Sequence, residues 1–207
     1  MTDELPYRMG LVVLWAVFAP VAVYYRTRSQ STGEKLDRWQ EGAFILFSLR
    51  GAAAVGFAAL VSFLVYPPLV AWATVPLPSF VRWTGMAFGV LGGCLMIWTF
   101  HTLGRNLTDT VVTRKEHTLV TGGPYRWVRH PFYGSAAFIV VAATLLSANW
   151  LVLLSGVAVL IFLVLRTKTE EAKLTERFGD EYRDYCEQTG QFFPRFGPSA
   201  VNTKEKS

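Results

Sequence analysis

Metal-ligating residues are scarce. The chain of 207 residues holds two cysteines and three histidines, and His101, His117 and His130 do not pair at ligand spacing. Cys94 lies inside an apolar run and Cys186 in a charged stretch. These features argue against a metal centre and a disulfide framework. Charge is scarce as well, at 17% of residues against about 25% in soluble domains. Ser135–Leu165 carries no charged side chain at all. Long uncharged windows in a chain that is 52% hydrophobic indicate an integral membrane protein rather than a soluble one with a large core. The net charge of +5 does not indicate a nucleic-acid partner, because basic residues alternate with acidic ones and no basic aromatic platform accompanies them. The N-terminal MTDELPYRMG lacks a basic leader region, so the first apolar run is read as a retained span. The C-terminus has no prenylation box.

What is present is a set of membrane-length helices. Met9–Tyr25, Ala43–Tyr66 and Phe80–His101 are the first three expected spans, the second ended by Pro67 and Pro68. Ser135–Leu165 has 31 residues, roughly 46 Å as one helix and too long for a ~30 Å hydrocarbon core. Ser147, Ala148 and Asn149 supply turn chemistry near its middle, so it is divided into a helical hairpin, giving five spans. Arg26, Arg28, Lys35 and Arg38 lie between spans one and two, and Arg105, Arg114, Lys115, Arg126 and Arg129 between spans three and four. The loop between spans two and three, 67–79, has no Lys or Arg. This asymmetry predicts an outside N-terminus and a cytoplasmic C-terminus.

Gly85, Gly89 and Gly93 recur every fourth residue, a stripe that lets another helix approach closely, within the chain or in a second copy. Arg50 inside span two is either a functional charge or a snorkelling one, and it stays outside the expected site.

Polar residues concentrate in the loop His101–Gly134 and the tail Arg166–Phe196, which both adjoin the free ends of the hairpin. GGPYRWVRHPFYG (Gly122–Gly134) combines backbone-permissive glycines with Pro131, which suits the first turn of a helix. The backbone near Leu119 and Val120 reads either as open to a ligand edge such as an adenine's or as a plain connecting strand. His130 reads as a general base, a ligand contact or a structural group. Arg166 and Glu170 are four residues apart and share a helical face. They form either a simple ion pair or a boundary pair, Glu170 for a cationic ligand group and Arg166 for an anionic one.

HTLVTGGPYRWVRHPFY (His117–Tyr133), RTKTEEAKLTERFGDEY (Arg166–Tyr182) and TGQFFP (Thr189–Pro194) together resemble the isoprenylcysteine carboxyl methyltransferase family. The resemblance covers residues 103–194. It implies an all-α integral membrane protein of about five transmembrane helices, with a cytoplasmic cofactor-binding loop and a C-terminal helix. It also implies S-adenosyl-L-methionine as methyl donor, with His117, Thr118, Leu119, Val120, Tyr125, His130, Pro131, Phe132, Tyr133 and Glu170 as its contacts. Arg166 would address a lipid-like or prenylated acceptor. Alternatives are a small thiol or lipid amine as acceptor, and a sterol-reductase-like enzyme using NADPH. The expected division is three spans over 1–101, the loop, hairpin and tail helix over 102–196, and a disordered tail over 197–207.

Overall fold

The structure is a computed structural model and describes residues 4–30, 43–104 and 118–195. His117 and the expected tail 197–207 lie outside the described residues. The described residues form six α-helices: α1 (Leu5–Gln30), α2 (Ala43–Val65), α3 (Ser79–Leu103), α4 (Pro131–Ser147), α5 (Trp150–Phe178) and α6 (Asp180–Gln188). Four of them, α1, α2, α3 and α5, are long and apolar enough to cross a membrane, and α4 is a shorter apolar helix of 17 residues. The protein is an all-α integral membrane protein. Among the described residues there is no β-strand, only two isolated bridges.

The helix ends follow local chemistry. α2 stops before Tyr66, and Pro67 opens a short 3-10 segment, Pro67–Ala73, that runs across the end of the bundle. The hairpin turn forms where expected. Ala148 adopts a left-handed conformation with φ 48°, and the Asn149 side chain accepts from the Leu151 and Val152 amides at 3.0 and 3.3 Å. Those two amides would otherwise be orphaned at the start of α5. The Asn149 amide nitrogen donates to the Val70 carbonyl at 3.1 Å, which pins the 3-10 segment over the turn.

Two expectations need correcting. Span five does not stop at Leu165. α5 continues unbroken to Phe178, so the tail residues Arg166 and Glu170 belong to the same 29-residue helix as the span. The cause is intrinsic: TKTEEAKLTERF contains no helix breaker before Gly179, where φ reaches 56°. The second correction concerns charge. Basic residues are not confined to one end of the bundle, because Arg8 and Arg82 sit at the hairpin-turn end. Arg82 is 4% exposed; its guanidinium donates to Glu4 at 3.1 and 2.6 Å and to the Leu146 carbonyl at 2.6 Å. It also lies 3.6 Å from the Tyr7 ring centre. This pair of a buried arginine and a half-buried glutamate joins the start of α1 to α3 and α4, and Arg8 donates to the Leu64 carbonyl of α2.

The glycine stripe is an internal seam with two faces. An added Cβ at Gly85 would meet Leu146 and Leu145 of α4 at 2.9 and 3.1 Å, and one at Gly92 would meet Phe138. Gly89 and Gly93 instead receive Leu14 and Phe18 of α1, at 2.4 and 2.5 Å from the missing Cβ. α3 is therefore the hub, packed on α4 by one face and on α1 by the other. α2 packs chiefly on α5.

Candidate functional site

The polar loop takes its shape from its glycines and prolines. Gly123 has φ 57°, and a Cβ there would lie 2.4 Å from Thr102 Oγ1 at the end of α3. Only glycine permits both the conformation and the approach. Pro124 then enters one 3-10 turn, Gly123–Arg126, and is buried. Pro131 opens α4 at a position where its missing N–H costs nothing. Phe132 and Tyr133 thus stand on the first turn of α4, not on a free loop.

Opposite that turn lies α5. The Tyr133 hydroxyl donates to Glu170 Oε2 at 2.7 Å, and Arg166 Nε lies 2.9 Å from Glu170 Oε1. His130 is buried, with Nε2 3.1 Å from Glu171 Oε1 and Nδ1 3.6 Å from Glu170 Oε2. Its ring stacks on Tyr133 at 5.2 Å with an interplanar angle of 7°. Glu171 also accepts from Arg129 Nε at 2.9 Å. Loop and helix, nearly forty residues apart, close into one network. Such a network holds its partly buried charges by ion pairs and hydrogen bonds together.

A strap completes the site. After α6 the chain runs back beside the loop, with Arg129 N donating to Gly190 O at 2.8 Å and His130 N to Gln191 O at 3.1 Å. The Arg129 side chain donates to the Thr189 and Cys186 carbonyls at 2.5 and 3.2 Å. Desolvation works against its charge, but the Glu171 hydrogen bond and attraction outweigh it and hold Arg129 more firmly protonated than usual. Phe192 sets its ring 5.7 Å from His130. The Tyr185 hydroxyl donates to the Tyr125 carbonyl at 2.7 Å and ties α6 to the 3-10 turn. Burial, then the neighbouring Tyr185 and Glu170, push the Tyr125 hydroxyl well above the ordinary phenol range, so it stays neutral.

Part of this network borders a cavity of about 680 Å³, within the ~300–1,000 Å³ range of small-molecule sites. Of the residues expected at the site, Tyr125, His130, Phe132, Tyr133, Arg166 and Glu170 line it. Thr118, Leu119, Val120 and Pro131 are not in its wall. Thr118 is exposed, Leu119 and Val120 are half-buried in a segment without regular structure, and Pro131 is buried as the start of α4. Arg50 is exposed on α2 and also outside the wall.

Sequence reasoning missed Glu171 as a site residue and read Arg129 only as a topological charge. The doubled Glu170–Glu171 beside the doubled Arg129–His130 was the available signal. It also missed Arg26, Phe100 and Leu163, which α1, α3 and α5 bring to the wall; nothing in their local sequence marks them.

Residues 84–176 match the model of the isoprenylcysteine carboxyl methyltransferase (ICMT) family. The chain is similar to protein-S-isoprenylcysteine O-methyltransferases. It is 32% identical to that of Mus musculus over 55% of this chain and 41% of that protein. To that of Saccharomyces cerevisiae it is 34% identical over 53% and 47%. To that of Dictyostelium discoideum it is 31% identical over 67% and 60%. The matches thus span less than half of the mouse and yeast proteins. A solved structure of the eukaryotic intramembrane Ras methyltransferase ICMT superposes with a TM-score of 0.51 at 26% identity, over 69% of this chain and 50% of that one.

Proposed function

We propose that this chain, which matches the isoprenylcysteine carboxyl methyltransferase family model over residues 84–176, moves a methyl group from S-adenosyl-L-methionine to the carboxylate of an isoprenylcysteine-type amphiphile. The observation that carries the reading is the meeting of Tyr133, Glu170 and Arg166 in one cavity. The residues present fit a positively charged donor. Glu170 offers a carboxylate to an α-ammonium group. The rings of Tyr125, Phe132 and Tyr133 offer π faces to a sulfonium. When bound, the donor supplies a methyl group on positively charged sulfur; transfer breaks that C–S bond and forms a C–O bond, leaving a thioether and a neutral ester. No proton is released, so no general base is required for an acceptor already ionised above a pKa of ~4.

The chain's own work is therefore positioning and exclusion of water. Arg166 holds one acceptor oxygen while the other faces the methyl group. Glu170 has both oxygens occupied by Arg166 and Tyr133, which orients it before any ligand arrives. His130, with carboxylates on both ring nitrogens, acts as a spacer that aligns Tyr133 rather than as a base. His117, Thr118, Leu119 and Val120 remain donor contacts in this reading, carried by the family resemblance.

The orientation with the site on the cytoplasmic side rests on the Lys and Arg distribution. Arg26, Arg28, Arg129, Arg166 and Lys168 lie at the site end, and Glu4 neutralises Arg82 at the other. A thiol or lipid-amine acceptor and an NADPH-dependent reduction draw no support from the relatives. The test is ligand binding followed by transfer. S-adenosylhomocysteine should raise the melting temperature of the purified protein, and NADPH should not. Label from the donor should appear on prenylated thioether acids. Stabilisation by NADPH alone overturns the proposal.

A further inference from the structure

Trp98 lies outside the site cavity, although Met96 and Phe100 on either side of it both stand in the cavity wall. On a helix of 3.6 residues per turn, a position two residues from each of them points about 160° away from both. Trp98 is therefore on the outward face of α3, where it is 44% exposed. It sits about 8 Å, at 1.5 Å per residue, before the helix ends at Leu103. A tryptophan at that depth stands where hydrocarbon gives way to headgroups.

The polar loop brings two partners to it. The Trp127 ring lies 5.6 Å from that of Trp98, edge-on at 70°. The Arg126 guanidinium lies 4.8 Å from the Trp127 ring centre. Trp127 and Arg126 are both exposed. All three side chains can only donate hydrogen bonds, through two indole N–H groups and one guanidinium. Among the described residues none of the three has an acceptor. Arg126 differs in this from Arg82, Arg129, Arg166 and Arg183, each of which has a carboxylate partner.

We propose that Trp98, Trp127 and Arg126 hold the phosphate of one anionic phospholipid in the leaflet on the site side, and that this lipid braces the loop against the strap. A cation beside two N–H donors is the chemistry that recognises a phosphate oxygen. The phosphate is a lipid's because Trp98 faces outward from a membrane-spanning helix, toward acyl chains. The lipid is anionic overall because Arg126 already covers a face of Trp127, so the ammonium of a choline or ethanolamine headgroup meets a like charge there. The brace runs through the backbone. The Trp127 carbonyl accepts from Gly190 N at 3.2 Å, and Arg129 N donates to Gly190 O at 2.8 Å. Tyr125, next to Arg126, lines the cavity itself. A lipid seated on the outer side of this turn thus steadies the inner side, whichever acceptor is methylated.

The experiment uses the full chain in nanodiscs of phosphatidylcholine, alone or with an equal share of phosphatidylglycerol. Released from the mixed discs into native mass spectrometry, the parent should retain one phosphatidylglycerol in preference to phosphatidylcholine. Arg126→Gln should lower that retention at least fivefold, and Trp98→Leu, on the outward face of α3, should lower it too. Arg183→Gln, which removes an equal charge from α6, should keep the parent value. Unchanged melting temperatures in phosphatidylcholine alone verify that the variants are folded. Hydrogen–deuterium exchange gives the second readout. The Arg129 and Gly190 amides should exchange more slowly in the mixed discs than in phosphatidylcholine alone, and the difference should vanish in Arg126→Gln. Equal retention of the two lipids by the parent overturns the site. So does parent-like retention in both Arg126→Gln and Trp98→Leu, or an equal loss in Arg183→Gln. Protection of Gly190 by inorganic phosphate in phosphatidylcholine discs overturns the lipid as occupant. Loss of retention with unaltered exchange overturns the brace.

Discussion

Glu170 sits where Arg166, Tyr133 and His130 converge, so its removal disturbs more than one bond. Glu170→Ala should abolish stabilisation by S-adenosylhomocysteine, since a charge-assisted hydrogen bond is worth about 1.5–3 kcal/mol. Arg166→Ala should keep donor binding and lower turnover, because truncating one member of a desolvated charge pair costs about 2–5 kcal/mol. Calorimetric donor binding beside initial rates checks both; a site variant pair that binds donor like the parent contradicts the assigned roles. Glu171→Gln addresses a different link. It loosens Arg129, which holds the strap at Thr189 and Cys186. Faster amide exchange at Arg129, His130 and Gly190 should accompany weaker donor binding, as measured by hydrogen–deuterium exchange. At this scale the residue types were legible in the sequence: a glutamate and an arginine on one helical face, a histidine before a proline. Their partners were not, because a hydrogen bond between residues 133 and 170 leaves no local periodicity behind.

Among the elements, the α1–α3 seam depends on absent side chains. Gly93→Leu would drive its side chain into Phe18 and force α1 outward, at a cost of about 1–3 kcal/mol for overpacking. A lower melting temperature in the same micelles, with unaltered cross-linking between copies, is the expected result. A changed oligomeric state would instead mark the stripe as an interface. The stripe's spacing was readable from sequence, but its division between two partners was not. A four-residue repeat drifts about 40° per step around a helix of 3.6 residues per turn, so the stripe turns from α4 at Gly85 to α1 at Gly89 and Gly93. The hairpin turn was readable for the opposite reason. Its cap is made by Asn149 for amides two and three residues on, a contact wholly within one short stretch. The length of α5 was misjudged because hydropathy marks where a helix leaves lipid, and not where it ends.

At the scale of the whole molecule, the bundle separates the polar end that carries the cavity from an end held by the Arg82–Glu4 pair. With the site on the cytoplasmic side, a cysteine placed at Lys168 in a Cys186→Ser background should react with a membrane-impermeant maleimide only after permeabilisation. One placed at Pro76 should react in intact cells; the reverse pattern inverts the orientation. Turnover of a carboxylate acceptor should be flat between about pH 6 and 9, since the nucleophile is already ionised above ~4. A rate that climbs through pH 8 would point to a thiol, whose free pKa is ~8.5.

By itself the sequence determined that this chain crosses a membrane several times, where its hairpin turns, and which two polar stretches carry chemistry. Those properties follow from hydropathy, capping and helical periodicity, each written within a few neighbouring residues. Only the tertiary structure decided that Tyr133 meets Glu170, that Glu171 and Arg129 brace the site, and that α1 and α2 bring Arg26 and Leu49 to the cavity wall. Such contacts arise when helices distant in the chain pack around α3, and packing depends on the shapes of all partners at once.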